Sequence, residues 1–234
     1  MLSPAQSLKA GVLAMLPIAL AAVPFSMVLG AEAVRHGLTP AEIVFMSATV
    51  FAGSAQFMAV GLWEHPAPWA GLAFAVLLIN LRHVLMAASL SSKIKHFKPW
   101  QRYLAAFLMA DETWALNERR AQSQPLTPPY YFGVGLCLYV LWLLGTALGT
   151  VVGGYIPRPE VFGLDFIFPT IFIGLVMGFA KNWLAAPVII GSAIAALLAH
   201  HYIGGTSFVI LGGMAGMVIA ALLPPSTKGR QNAA

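Results

Sequence analysis

The sequence predicts an all-α protein: a polytopic membrane helical bundle with about seven spanning helices, one half-helix and some helices broken at proline. Three observations carry that prediction. Of the 234 residues, 59% are hydrophobic and only 9% are charged, against roughly 25% charged in an average soluble domain. A soluble globule with so few charges would expose larger apolar patches than monomers tolerate. The apolar residues gather into runs of about 20, the length that crosses the hydrocarbon core as a helix. Lysine and arginine collect in the connections between those runs, where positive charge orients membrane proteins.

In chain order, the spans are expected at residues 10–31, 41–62, 68–91, 131–153, 161–180, 184–200 and 204–223. The first is also the place for a secretory signal, but an apolar run over 11–30 exceeds the roughly 7 to 15 residues of a signal core, so it is read as a retained span. An eighth stretch, YLAAFLMADETWAL at 103–116, is short and ends in two carboxylates. It reads as a half-helix or re-entrant segment, with a full span as the rival. Residues 1–223 then form one transmembrane transporter domain. The tail PPSTKGRQNAA, 224–234, has nothing to bury and is expected to be disordered.

Charge bias arbitrates between these counts. With seven crossings and the N-terminus outside, the cytoplasmic side holds Arg35, Lys93, Lys95, Lys98, Arg102, Arg119, Arg120, Lys181, Lys228 and Arg230, leaving Lys9 and Arg158 outside. That is the positive-inside asymmetry, and it predicts a multi-pass inner-membrane protein with the N-terminus out and the C-terminus cytoplasmic. Trp63, Trp69, Trp100 and Trp183 stand at segment ends and read as interfacial anchors.

Glycines every four residues, at Gly145, Gly149 and Gly153, Gly174 and Gly178, and Gly212 and Gly216, let helix backbones approach closely in lipid. Ala48, Ala52, Ala55 and Ala59 draw a similar stripe. The single cysteine, Cys137, excludes an intrachain disulfide and reads as packing within LCLYVLW.

The chemistry begins at LLINLRHVLMA, 77–87, where Arg82 interrupts an apolar run. A guanidinium near the bilayer centre costs about 2.5 to 3.5 kcal/mol on insertion scales, so it must be paired or reached by water. At 100° per residue Asn80 and His83 are about 60° apart, whereas Arg82 is about 200° from Asn80. Either protein sheathes this helix on both sides, or the helix unwinds near Asn80, as in the broken helices of secondary transporters. His83 is either a core histidine or part of a coupling relay. FAGSAQF, 51–57, adds Ser54 and Gln56; on a continuous helix Gln56 shares a face with Thr49, Ala52 and Gly53, suited to helix-to-helix bonding or to ligand contact.

Pro17 and Pro24 mark a discontinuity in the first span, because each removes a backbone bond. In LDFIFPTIFIGL, 164–175, Asp165 precedes Pro169 and Thr170. That carboxylate is either solvated at the interface, paired with Arg82, bound to a substrate ammonium or a proton carrier. Asp111 and Glu112 point about 100° apart on a helix and either take up protons during transport or neutralise the basic loop beside them.

Nucleic-acid binding is unsupported, since the basic residues form no stripe with interleaved aromatics. No nucleophile elbow, phosphate loop, zinc-helix motif or dinucleotide fingerprint occurs, and the adjacent His200 and His201 are poorly spaced as metal ligands. No enzymatic activity, cofactor or metal is expected.

Taken together, PFSMVLG (24–30), FAGSAQF, INLRH (79–83), ADETWAL (110–116) and GLDFIFP (163–169), in this order and spacing, resemble the AzlC family over about residues 8–222. Ser26 departs from the glycine commonly found in the first motif. The resemblance implies the large subunit of a bacterial exporter of branched-chain amino acids (valine, leucine, isoleucine and sometimes methionine), working with a small AzlD-type membrane subunit. The expected substrate contacts are Arg82, Asn80, Gln56, Ser54, Asp165 and Thr170, with Arg82 on the carboxylate and Asp165 or backbone carbonyls on the ammonium. His83, Asp111, Glu112, Pro24 and Pro169 are expected in coupling or gating. Without a nucleotide site, a proton gradient is the expected driver. The competing readings are a channel-like subunit, with flux that scarcely saturates, and a non-transporting assembly subunit.

Overall fold

The computed structural model describes residues 3–64, 66–67, 69–153, 173, 185–203 and 207–223, and every regular element among them is an α-helix. Contacts divide the chain into two compact units, Met1–Phe162 and Gly163–Ala234. The first holds α1 (Pro4–Arg35), α2 (Pro40–Thr49), α3 (Gly53–Gly61), α4 (Trp69–Ser91), α5 (Pro99–Phe107), α6 (Asp111–Ala121) and α7 (Pro128–Gly153). The second holds α8 (Ala185–Tyr202) and α9 (Ser207–Leu222). The expected span at 161–180, with Gly174, Gly178, Asp165, Pro169 and Thr170, lies outside the described residues apart from Ile173, as do Trp183 and the tail at 224–234.

The helices α1, α4, α7 and α8 are each long and apolar enough to cross a membrane. On α4, Leu77, Leu81, Val84 and Leu85 are all exposed, an apolar stripe at helical spacing that a bilayer, and not water, accommodates. Together these features make the chain a multi-pass membrane protein.

The core of the first unit is the pair α1 and α7, which run parallel. A side chain added at Gly11 would collide with the Tyr130 carbonyl, one at Gly30 with the Thr146 carbonyl, and one at Gly133 with the Leu8 carbonyl. Gly149 lies on the Met27 backbone and Gly153 on Ala31. The two backbones therefore touch along their whole length, as small-residue spacing allows in lipid. Ser26 is fully buried, donates to the Val23 carbonyl at 2.9 Å and fills the space over Gly145, so the departure from glycine at 26 is matched by a glycine opposite. Contrary to expectation, α1 is one continuous helix that contains both Pro17 and Pro24. Beyond it Gly37 adopts φ 88°, and the Leu38 N–H returns to the Ala33 carbonyl at 3.0 Å, which turns the chain.

The segment expected to cross at 41–62 does not. It breaks at 50–52, where Val50 and Ala52 leave helical geometry, and the chain folds back. Gln56 Nε2 donates to Ser47 Oγ at 2.7 Å, although a continuous helix would hold residues nine apart about 13 Å from each other. Arms of about 15 Å reach only half of a roughly 30 Å hydrocarbon core. α2 starts after the end of α1, and α3 returns to the same side, where Trp63 meets Trp69 edge-on at the head of α4.

A second hairpin mirrors the first. The far end of α4 lies beside the start of α7: His96 bonds the Leu126 carbonyl at 2.8 Å, and the rings of Phe97 and Tyr131 meet at 5.9 Å. α1 starts there too, with Ser7 Oγ 2.7 Å from Thr127 Oγ1. From that side α5 enters, turns at 108–110, and α6 leaves; Arg102 is tied back to the carbonyls of Phe97 and Lys95, while Glu118 pairs with Lys93. The re-entrant reading of 103–116 holds, with the two helices placed at 99–107 and 111–121. In the second unit, α8 and α9 pack antiparallel, Ser192 Oγ donating to the Gly212 carbonyl at 2.7 Å over a contact that Gly212 and Gly216 keep narrow.

Candidate functional site

Both hairpin tips end on the middle of α7. Phe51 of the first tip and Phe107 beside the second stand edge-on to Tyr139, at 5.3 and 5.7 Å between ring centres. Gly53 is required here because the Trp142 ring lies 2.7 Å from where its Cβ would be, and Gly135 faces Leu108 in the same way at 2.8 Å. Thr113, fully buried, stitches the second tip: its hydroxyl accepts from the Ala110 N–H at 2.7 Å and donates to the Leu108 carbonyl at 3.0 Å.

Arg82 lies between the tips. Its guanidinium forms an ion pair with Asp111 at 2.6 Å and donates to Ser54 Oγ. Ser54 is in the first turn of α3 and Asp111 opens α6, so two helix N-termini converge on this point. Both are capped by alanine, Ala52 and Ala110, with no side-chain cap. Helix N-termini attract negative charge through their backbone N–H groups and the helix dipole; the first turn of α6 already holds Asp111 and Glu112, and a guanidinium adds to that field. His83 has Arg82 and Asp111 as charged neighbours and faces the Met109 backbone. Among the described residues, Asn80 Oδ1, Arg82 Nε and His83 Nδ1 are shielded from solvent and have no hydrogen-bond partner.

α4 is unbroken through this region. Of the two arrangements open to it, unwinding near Asn80 is therefore overturned, and the hairpin tips supply the polar surroundings instead. The structure brings together Arg82, Ser54, Asp111 and His83, with Asn80 two residues before Arg82. Glu112, half-buried, has Asp111 and Arg82 as its charged neighbours.

Gln56 stands apart from that group. The Trp142 indole donates to its Oε1 at 3.0 Å while its Nε2 donates to Ser47, so its amide binds the arms of the first hairpin to α7. The face expected to join Gln56 to Thr49 and Ala52, and the alanine stripe through Ala48, are interrupted by the break. Pro24 adjoins Phe25, whose ring stacks on Phe57 at 4.4 Å. Asp165, Pro169 and Thr170 lie outside the described residues. The pairing of Arg82 with Asp111 and the roles of Thr113 and Tyr139 went unread in the sequence; the one available signal was that a cation at mid-span needs an anion, and ADETWAL held the nearest pair.

The geometry defines a polytopic membrane protein with re-entrant helices around a central charge. The family model described as "AzlC protein" matches residues 17–156, and the chain belongs to the AzlC family. An "Uncharacterized membrane protein" of Archaeoglobus fulgidus is 27% identical, covering 97% of both chains. The "Inner membrane protein YgaZ" of Escherichia coli K12 is 25% identical over 92% of this chain and 89% of its own. The "Branched-chain amino acid transport protein AzlC" of Bacillus subtilis is 27% identical over 79% of this chain and 73% of its own. No solved structure matches.

Proposed function

We propose that the protein is an inner-membrane secondary transporter subunit that exports the branched-chain amino acids valine, leucine and isoleucine, with the unbranched methionine as a secondary substrate, driven by protons and working with a small AzlD-type membrane subunit. The observation that supports this most is the Arg82 guanidinium held within its span between the first turns of α3 and α6. A planar fork of this kind takes a carboxylate bidentately, and the substrate's carboxylate replaces Asp111 on it. Asp165 is the candidate for the ammonium, with Thr170 and Asn80 as further contacts. The relative from Bacillus subtilis, named for branched-chain amino acid transport, supports the substrate class.

The hairpins bear on orientation. With 41–62 folded back, Lys9 shares a side with Lys93, Lys95, Lys98, Arg102, Arg119 and Arg120, and Arg35 faces the other. That distribution supports a cytoplasmic N-terminus by the positive-inside rule, where a count of seven crossings favours an external one. A protease site added before residue 3 should be cut in inside-out vesicles and protected in right-side-out ones.

The test of function uses cells co-expressing the small subunit and loaded with a leucine-containing dipeptide. Arg82→Lys keeps the charge and loses the fork, so efflux should fall strongly at normal membrane level; unchanged efflux removes Arg82 from binding. Collapse of the proton gradient should stop net efflux while leaving leucine counter-exchange, which also separates a carrier from a channel.

A further inference from the structure

We infer that residues 4–61 and 69–121 are two copies of one unit, a span followed by a re-entrant hairpin, inserted from opposite faces, and that each hairpin gates its own face. The inference rests on the reading of Arg82 as the substrate's anchor.

The two halves match in order and in local chemistry. α1 runs from the face where α7 begins, and α4 runs back to it. Each span is followed by a buried apolar residue two positions before a proline, Leu38 before Pro40 and Phe97 before Pro99, and each proline opens a helix at its first turn. At both starts the third helical residue reaches back to the N-cap: Glu42 to the Thr39 N–H at 2.7 Å and Gln101 to the Lys98 N–H at 2.9 Å. Three non-helical residues follow each first arm, at 50–52 and 108–110. Each second arm then starts behind an alanine without a side-chain cap. A hairpin rooted on one face cannot block the other, and both tips meet on Tyr139 and on Arg82.

The contacts on Arg82 therefore divide by face. Ser54 belongs to the hairpin rooted where α1 ends, and Asp111 to the one rooted where α4 ends. With both in place the Arg82 guanidinium is engaged by both hairpins. Loss of the Ser54 contact opens the face where α1 ends, and loss of the Asp111 contact opens the opposite one. Inverted repeats around a central site are a recurrent basis for alternating access, and here the repeat unit is a span plus a hairpin.

The experiment places one reporter at the centre: Ala110→Cys at the head of α6, in a Cys137→Ser background, within the full chain co-expressed with the small subunit. Labelling by a membrane-impermeant maleimide is followed in right-side-out and inside-out vesicles. Asp111→Asn should raise labelling several-fold from the face where α5 and α6 are rooted. Ser54→Ala should raise it several-fold from the opposite face. If Asp111→Asn fails to reach the membrane, Asp111→Ser serves the same purpose. Acceleration from the same face in both variants, or no change in either one, overturns the two gates. Efflux in Arg82→Lys is read separately: its loss together with same-face labelling keeps the binding site and removes the gates, whereas opposite-face labelling with full efflux does the reverse.

Discussion

The two hairpins are alike in path and unlike in what holds them. The α2–α3 hairpin is secured by neutral groups: Gln56, almost fully buried, bridges Ser47 on the other arm to the Trp142 indole. The α5–α6 hairpin is secured by charges, Arg82 with Asp111 at its tip and Lys93 with Glu118 at its base, backed by Thr113. Neutral buried bonds answer weakly to protons or to a charged guest. A carboxylate on a guanidinium can be neutralised by one and displaced by the other. The difference sets a hairpin held by displaceable charge pairs apart from one held by neutral bonds.

The largest effect should come from Asp111→Ala, which strips the partner from a cation at mid-bundle. A guanidinium left unpaired within a membrane-spanning helix costs about 2.5 to 3.5 kcal/mol, and the thermal midpoint in detergent should fall further than for any change in the first hairpin. Next is Gln56→Leu, which leaves the Trp142 N–H without its acceptor at about 1 to 3 kcal/mol; a midpoint drop independent of pH would sharpen the contrast with the charged hairpin. Gly53→Ala pushes a methyl into the Trp142 ring, an overpacking cost of about 1 to 3 kcal/mol, with a blue or red shift in tryptophan emission as its local signature. Smallest is Glu118→Gln. Its pair with Lys93 lies past the end of α4, at the base of the hairpin, so a loss of at most about 1 kcal/mol that fades with added salt is expected. A loss as large as that of Asp111→Ala would erase the distinction between tip and base.

The same contrast shows what the sequence could reveal. α1, α4 and α7 were legible because hydropathy over 20 residues depends on composition alone. The second hairpin was legible because Asp111 and Glu112 cut its apolar run short. The first was not: within 41–62 the one charge, Glu42, stands at the very start, the break at 50–52 falls on Val50, Phe51 and Ala52, and no proline or glycine lies within it. A run long enough to cross cannot be told from two half-length arms when no charge interrupts its middle. Conversely, Pro17 and Pro24 are the strongest local breakers in the chain, yet α1 passes through both, since close packing on α7 overrides the local preference. At the site, the residue types were visible and the pairing was not, because the partner of Arg82 is set by where a hairpin turns and not by any spacing along α4.

The parallel contact between α1 and α7 has a consequence for biogenesis. α1 leaves the ribosome well before α7, the helix it fits, which is completed more than a hundred residues later, roughly 6 to 24 s at 5 to 20 residues per second. During that interval its glycine-lined groove faces lipid or a chaperoning insertase, so nascent chains truncated before residue 128 should be the forms most readily extracted and degraded.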